Sequence, residues 1–239
     1  MLKKVVMVVG LALLMVACDP LDEYRNKSDT YLYDAGMDFL EYGRHERAAK
    51  VFEEVDLQHP SSPLASKALL MAGYCYYLES NPDSRNTNRF PDALDKFESF
   101  VRLHPNHEMI PYALYMMGTC HFEMLGDEMR DQTASAKAVG YFSNVTERFP
   151  KSPYAKDASE KLKILTLYAA KKHVYIAEVL MREDRHASAI ARLQQALKMG
   201  LDEESKRHAV EMLNVCYSVL KLNHLVTTPT ENKEVSVKP

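Results

Sequence analysis

The stretch that decides the fold is ALLMAGYC at residues 68–75, which returns as ALYMMGTC at residues 113–120. Five of the eight residues are identical between the two stretches, at an offset of 45 positions. The same offset links three alanines, three phenylalanines and three prolines: Ala48, Ala93 and Ala138; Phe52, Phe97 and Phe142; Pro60, Pro105 and Pro150. A fixed period of this length is typical of repeat proteins, in which each unit packs against its neighbours.

Each unit is predicted to be a pair of helices. Gly73 and Gly118 lack a side chain, so a neighbouring helix can approach them closely. The repeated alanines suit a helix crossing, and each phenylalanine lies four positions later on the same helix face, where it can fill the space beside that crossing. The repeated proline ends the second helix because its ring cannot continue one. Ser62 and Ser152, each followed by a proline, are predicted to cap the next helix.

The order of small and aromatic residues in the first unit resembles the tetratricopeptide repeat. The matching residues are Gly36, Phe39, Ala48, Phe52 and Pro60. In the second and third units about eight extra residues separate the two helices, within Ser80–Arg89 and Gly126–Thr133, compared with the 34-residue repeat. The resemblance implies an all-α, tetratricopeptide-like helical repeat solenoid of about nine helices in four and a half helix pairs. The predicted helices are 29–42, 45–58, 62–79, 90–103, 108–125, 134–148, 152–183, 185–199 and 202–222.

The chain is predicted to divide into five parts. These are a signal peptide (1–17), a lipidated tether (18–28), N-terminal repeats (29–150), C-terminal repeats (151–222) and a loose tail (223–239). Ala189 and Leu193 continue the alanine and phenylalanine positions in the C-terminal repeats, 51 residues after Ala138 and Phe142. A long helix at 152–183 accounts for the wider spacing.

The first residues have the layout of a secretory signal, with two lysines, an apolar run at residues 5–16 and a small residue before Cys18. The apolar run is shorter than the ~20 residues of a membrane-spanning helix. Met15-Val16-Ala17-Cys18 resembles the bacterial lipobox, which implies cleavage after Ala17 and a lipid anchor on Cys18. A signal cut near Ala17 that leaves Cys18 unmodified is the alternative. Asp19 leaves open which membrane is used, because in some bacteria this residue resembles an inner-membrane retention signal.

Composition excludes several classes of function. Removal of residues 1–17 leaves 28 basic and 33 acidic residues, and this acidic balance argues against nucleic acid, which needs basic patches. Cys75, Cys120 and Cys216 are expected to be buried and unpaired, because an odd count cannot be fully paired within one chain and equivalent helices of stacked repeats lie too far apart for a disulfide. No cysteine pair has zinc-ligand spacing. Of the nine histidines, His59 and His104 each precede the repeat proline and His121 takes the repeat position of Tyr76, which favours structural roles over a metal site. No catalytic or nucleotide-binding motif occurs. The sequence therefore predicts no enzyme, no metal site and no cofactor.

Three stretches give a more specific resemblance. FVRLHPNH at 100–107, YALYMMG at 112–118 and FPKSPYAKDA at 149–158 resemble, in order, stretches of the BamD family, and the similarity covers about 29–222. Members are lipoproteins of the machine that inserts β-barrels into the bacterial outer membrane. The resemblance implies a lipid-anchored scaffold on the periplasmic face of the outer membrane. Its implied partners are a BamA-like barrel insertase with POTRA domains, other assembly subunits and unfolded β-barrel substrates.

The resemblance also implies one binding residue. Arg192 aligns with a family arginine that pairs with an acidic POTRA residue, and the alternative is an ordinary solvated arginine. After Leu222 the sequence lacks the second helix of the family's fifth pair. Two other functions remain open: an envelope scaffold that coordinates cell-wall synthesis or division, and a cell-wall enzyme. The enzyme would need a separate catalytic domain, for which no residues remain.

Overall fold

The computed structural model describes residues 21–80, 88–125, 132–222 and 225–226. Within these ranges the chain forms a short 3₁₀ turn (Asp22–Tyr24) and nine α-helices. The helices are α1 (Asp29–Glu41), α2 (His45–Gln58), α3 (Pro63–Glu79), α4 (Phe90–Leu103), α5 (Ile110–Glu123), α6 (Gln132–Arg148), α7 (Ala155–Arg182), α8 (His186–Met199) and α9 (Glu203–Val219). The all-helical, paired architecture confirms the predicted fold class.

The chain divides into two compact units at Gly126. In the first unit, helices α1 to α5 pack in sequence order, each against the next. The repeated alanines and phenylalanines of this unit are fully buried, as are Cys75 and Phe100: Ala48, Phe52, Ala93 and Phe97. This burial confirms that the 45-residue period marks the core positions of successive helix pairs.

Two glycines of the first unit lie directly under phenylalanine rings. A β-carbon added at Gly36 would lie 2.7 Å from the Phe52 ring, and one added at Gly73 would lie 2.9 Å from the Phe97 ring. The predicted close approach at Gly73 is therefore confirmed, with the phenylalanine ring filling the space that a side chain would occupy.

Capping follows the predictions at one serine and departs from them at the other. The Ser62 hydroxyl accepts a hydrogen bond from the Leu64 amide at 3.0 Å, with Pro63 as the first residue of α3. The prediction for Ser152 is wrong: α7 begins at Ala155, after a turn, and no side chain caps it. The amide of Ala155 instead bonds to the Ser152 carbonyl at 3.2 Å, so the turn leads the chain into the helix.

The second unit consists of α6 to α9. Its longest helix, α7, has 28 residues and packs against α6, α8 and α9. Ala189 and Leu193 are fully buried, which confirms them as core positions of α8. They share a cluster with Val174 and Ala177 of α7 and with Leu213 of α9, so the three helices have a common core.

The boundaries of several helices differ from the predicted ones by a few residues. Helix α9 ends at Val219, before Lys221, whose φ of 57° lies in the left-handed region that does not continue a helix. Of the predicted loose tail only residues 225–226 are described, and most of the two predicted insertions lie outside the described residues. No helix in the described ranges combines the length and apolar character needed to cross a bilayer.

Candidate partner-binding surface

Arg192 lies on α8, next to the buried Leu193 that fixes the orientation of the helix. Because helical neighbours point in different directions, burial of Leu193 leaves Arg192 on the solvent face. The structure confirms that the Arg192 side chain is exposed. The apolar packing of α8 therefore places Arg192 at the surface.

Arg192 forms a side-chain hydrogen bond with His173 of α7, its one such partner in the described part of the chain. Arg192 Nη1 lies 3.3 Å from His173 Nδ1. Since a guanidinium group only donates, Nδ1 accepts, and the imidazole carries its proton on Nε2. Burial lowers the pKa of His173, and the positive charges of Arg192 and Lys172 lower it further. His173 is thus held in its neutral form beside the arginine.

Two charged residues of α7 near His173 are paired with α9 or the turn before it. Lys171 Nζ lies 2.6 Å from Asp202 Oδ2, and Glu178 Oε1 lies 3.0 Å from His208 Nε2. Among the described residues no carboxylate pairs with Arg192 or with Lys172. A neutral imidazole leaves the positive charge of Arg192 uncompensated, and most of its five N–H donors remain available. The surface is therefore suited to bind a carboxylate from a partner, in the two-pronged geometry that arginine allows.

The second predicted site residue, Cys18, lies outside the described residues. The three remaining cysteines are buried and form no disulfide with one another. Burial raises the pKa of the Cys75 and Cys120 thiols to about 12, so both remain protonated at neutral pH. Within the described ranges no three histidine, cysteine or acidic side chains are grouped as metal ligands would be.

Two features of the structure escaped the sequence analysis. His173 is 19 residues from Arg192, and only the pairing of α7 with α8 brings them together. Residues 21–28 were treated as part of a tether, whereas Tyr24 is 6% exposed and packs against Phe39 of α1. The single aromatic residue within a mostly polar segment was the signal for this docking.

The described part of the chain is thus an all-helical repeat that presents an exposed arginine with no carboxylate partner. Stacked helical repeats of this class form extended surfaces. A family model described as an outer membrane lipoprotein, YfiO, matches residues 25–232. The chain therefore belongs to the YfiO family of outer membrane lipoproteins. This match confirms the resemblance drawn from the sequence.

Curated relatives carry the name outer membrane protein assembly factor BamD. The protein from Caulobacter vibrioides is 28% identical over 84% of this chain, and the chain spans 63% of the length of that relative. The Pasteurella multocida protein is 23% identical, and the alignment covers 94% of this chain and 87% of that protein. The Neisseria meningitidis serogroup B protein is 25% identical, and the alignment covers 92% of this chain and 85% of that protein. This chain is a homologue of these assembly factors.

Among solved structures, the crystal structure of MamA protein aligns over 82% of this chain and 84% of its own, at 16% identity and a TM-score of 0.38.

Proposed function

We propose that this protein is an outer-membrane protein assembly factor, anchored by a lipid on Cys18 at the periplasmic face of the outer membrane. It acts as a scaffold and not as an enzyme. Its C-terminal repeats bind the POTRA domains of a BamA-like barrel insertase, and its N-terminal repeats receive unfolded β-barrel substrates. Membership of the outer membrane lipoprotein family and homology to the BamD assembly factors support this proposal.

The observation that carries the proposal is the state of Arg192. An exposed guanidinium whose one described hydrogen-bond partner is a neutral imidazole retains its full positive charge. An acidic side chain of a POTRA domain can accept two parallel hydrogen bonds from it. Lys172, the other charge that lowers the pKa of His173, adds to the attraction. Such a contact contributes to the choice of partner as well as to its affinity.

The substrate contact is assigned to the first unit on the basis of its aromatic surface. Tyr77 and Leu78 lie three and four positions after Tyr74, so both are neighbours of Tyr74 on the surface of α3. The two tyrosine rings stack with centroids 6.5 Å apart and are half-buried, while Leu78 is 37% exposed. A face of this kind can bind the apolar side chains of an unfolded strand without a preformed pocket.

The test is an affinity pull-down from detergent-solubilised membranes with the full-length, lipidated chain. We expect the wild type to recover a POTRA-bearing barrel protein and Arg192→Glu to recover much less, because the reversed charge repels an acidic partner. Arg207→Glu, at an exposed arginine of α9, is the matched control and should behave as the wild type.

Each alternative outcome of the pull-down is informative. Equal recovery with both variants would retain the assembly role and remove Arg192 from the interface. Recovery of cell-wall or division proteins in place of a barrel protein would contradict the assembly role and favour a different envelope scaffold.

A further inference from the structure

The contact between Arg192 and His173 depends on the protonation state of the imidazole. While the ring is neutral, its Nδ1 accepts a hydrogen bond from Arg192 Nη1 at 3.3 Å. Once the ring is protonated, both of its nitrogens carry hydrogen and neither can accept. The hydrogen bond is then lost, and two cationic groups face each other. Protonation of His173 therefore changes this part of the surface from one neighbouring cation to two.

The surroundings of His173 contain no carboxylate that would neutralise this second charge. Burial lowers the pKa of His173, and so do the positive charges of Arg192 of α8 and Lys172 of α7. Helix α8 contains no acidic residue, and among the described residues α6 and α9 contribute no charge to this shift. Nearby carboxylates of α7 and of the turn before α9 form two other pairs: Glu178 with His208 at 3.0 Å, and Asp202 with Lys171 at 2.6 Å. A carboxylate partner for protonated His173 would therefore come from outside the described part of the chain.

A single carboxylate can bind both cations at once. Its two oxygens only accept hydrogen bonds, whereas guanidinium and protonated imidazole only donate them. One oxygen can accept from Arg192 and the other from His173 Nδ1, which lies beside it at the surface. Hydrogen bonds between charged groups are stronger than neutral ones, and this arrangement also places a negative charge between two positive ones. An acidic side chain of a partner therefore gains a second donor when His173 is protonated.

We infer that His173 is a second, proton-dependent binding residue for the carboxylate that Arg192 binds, so that this surface holds an acidic partner more tightly at pH 5.5 than at pH 7.5. The inference rests on the proposed function, in which the C-terminal repeats bind an acidic residue of a POTRA domain. It adds to that contact a control by protons, exerted through a residue on a different helix from Arg192.

The direction of the pH dependence follows from the charges. In the free chain the pKa of His173 lies below 6.5. A bound carboxylate favours the charged imidazole and raises this pKa, so binding is coupled to the uptake of a proton. The affinity should therefore rise as the pH falls through the raised pKa of the complex, and level off below the pKa of the free chain. A glutamate carboxylate, with a usual pKa of about 4.3, remains mostly charged at pH 5.5.

The probe is a hexaglutamate peptide, whose binding to the full-length chain is measured by calorimetry at pH 5.5 and 7.5 and at equal ionic strength. We expect binding about three- to tenfold tighter at pH 5.5, which corresponds to a His173 pKa raised by up to about one unit in the complex. His173→Asn cannot titrate and should bind with nearly equal affinity at the two pH values. His208→Asn is the matched control, because this exposed histidine of the second unit contacts Glu178 and not Arg192. Circular dichroism at both pH values checks that each variant is folded.

The outcomes separate this inference from the proposed function. Equal wild-type affinity at the two pH values, an increase at pH 5.5 that persists in His173→Asn, or no binding at either pH would overturn the inference. The pull-down from membranes, repeated at both pH values, tests the partner. Stronger recovery of a POTRA-bearing barrel protein at pH 5.5 would support both. Proton-dependent binding of hexaglutamate without recovery of such a protein would support the role of His173 and contradict the proposed partner.

Discussion

The ring of Phe97 in α4 lies so close to Gly73 in α3 that a β-carbon there would come within 2.9 Å of ring atom Cε1. The same relationship holds between Phe52 of α2 and Gly36 of α1, at 2.7 Å. In both cases the ring is fully buried, so it cannot move aside without displacing other core residues. The same contact between a glycine on one helix and a phenylalanine on the next, the glycine–phenylalanine contact, thus occurs twice in the first unit.

This contact predicts that Gly73→Ala destabilises the first unit by about 1–3 kcal/mol, the usual effect of overpacking a dense core. Gly140→Ala is the control, because a β-carbon at this helical glycine would meet no atom within 4 Å. Removing a glycine from an open helical position should stabilise α6 by about 0.5–1 kcal/mol. Urea unfolding followed by circular dichroism measures both changes. A neutral or stabilising effect of Gly73→Ala would contradict the close glycine–phenylalanine contact.

The residues of the glycine–phenylalanine contact could be predicted from the sequence, because the repeat places glycine, alanine and phenylalanine at fixed intervals. The helix pairs could be predicted for the same reason, because the repeated alanine, phenylalanine and proline mark the second helix of each pair. The start of α7 could not, because Ser152-Pro153 has the composition of a cap but the chain forms a turn there first. Local preference decided where a helix could begin, and tertiary packing decided where it did.

The candidate site was less predictable than the fold. Arg192 was singled out by resemblance, but its partner His173 lies on another helix and has no sequence motif. Docking of residues 21–28 was missed because a polar segment gives little indication of where it packs. Its contacts are two backbone carbonyls, one buried tyrosine and the ion pair between Glu23 and Arg47, all of which depend on the finished shape of the first helix pair.

The pairing of Arg192 with His173 predicts a change in titration. Replacing Arg192 with alanine removes one of the positive charges that lower the pKa of His173, so this pKa should rise toward 6.5. Nuclear magnetic resonance titration of the His173 ring would measure the shift, with Arg207→Ala as the control. An unchanged pKa in Arg192→Ala would show that the two side chains do not interact in solution.

The same lowered pKa predicts how His173 affects stability. Below its unfolded value of 6.5, the unfolded chain binds a proton at His173 more readily than the folded chain does. The contribution of His173 to the unfolding free energy should therefore fall as the pH drops through 6.5 toward the lower folded pKa. Comparison of wild type with His173→Asn in urea at pH 7.5 and 5.5 would reveal a smaller decrease in the variant.

Asp202 predicts a second pH dependence. Here the pKa is lowered because the contacts favour the charged form, whereas at His173 the surroundings disfavour it. Its hydrogen bond to Lys171 and then that to the Ser205 amide lower its pKa from 3.8 to about 2. The carboxylate therefore contributes stability above pH 3.8 that is lost as the pH falls through about 2. Acid unfolding should be less steep over this interval in Asp202→Asn than in the wild type. Identical acid-unfolding curves would show that the contact with Lys171 does not contribute.

The buried thiols predict low chemical reactivity. Cys75 and Cys120 have pKa values raised to about 12 by burial, and burial also raises the pKa of Cys216. Because the thiolate is the reactive form, all three should react with an aromatic disulfide reagent far more slowly in the native chain than in urea. Rapid labelling of any of them under native conditions would place that cysteine in a segment that opens readily.

Helix α7 is long enough to belong to two helix pairs at once. Near its end Val174 and Ala177 lie in the core shared with α8 and α9, while near its start Ala158 and Leu165 are buried outside that cluster. If either neighbour separated, part of the apolar face of α7 would be exposed to water along an otherwise intact helix. Opening either helix pair therefore costs free energy, because it exposes apolar residues of the helix that both pairs share. The second unit should consequently open as a single cooperative block, unlike a chain of short repeats that frays one pair at a time.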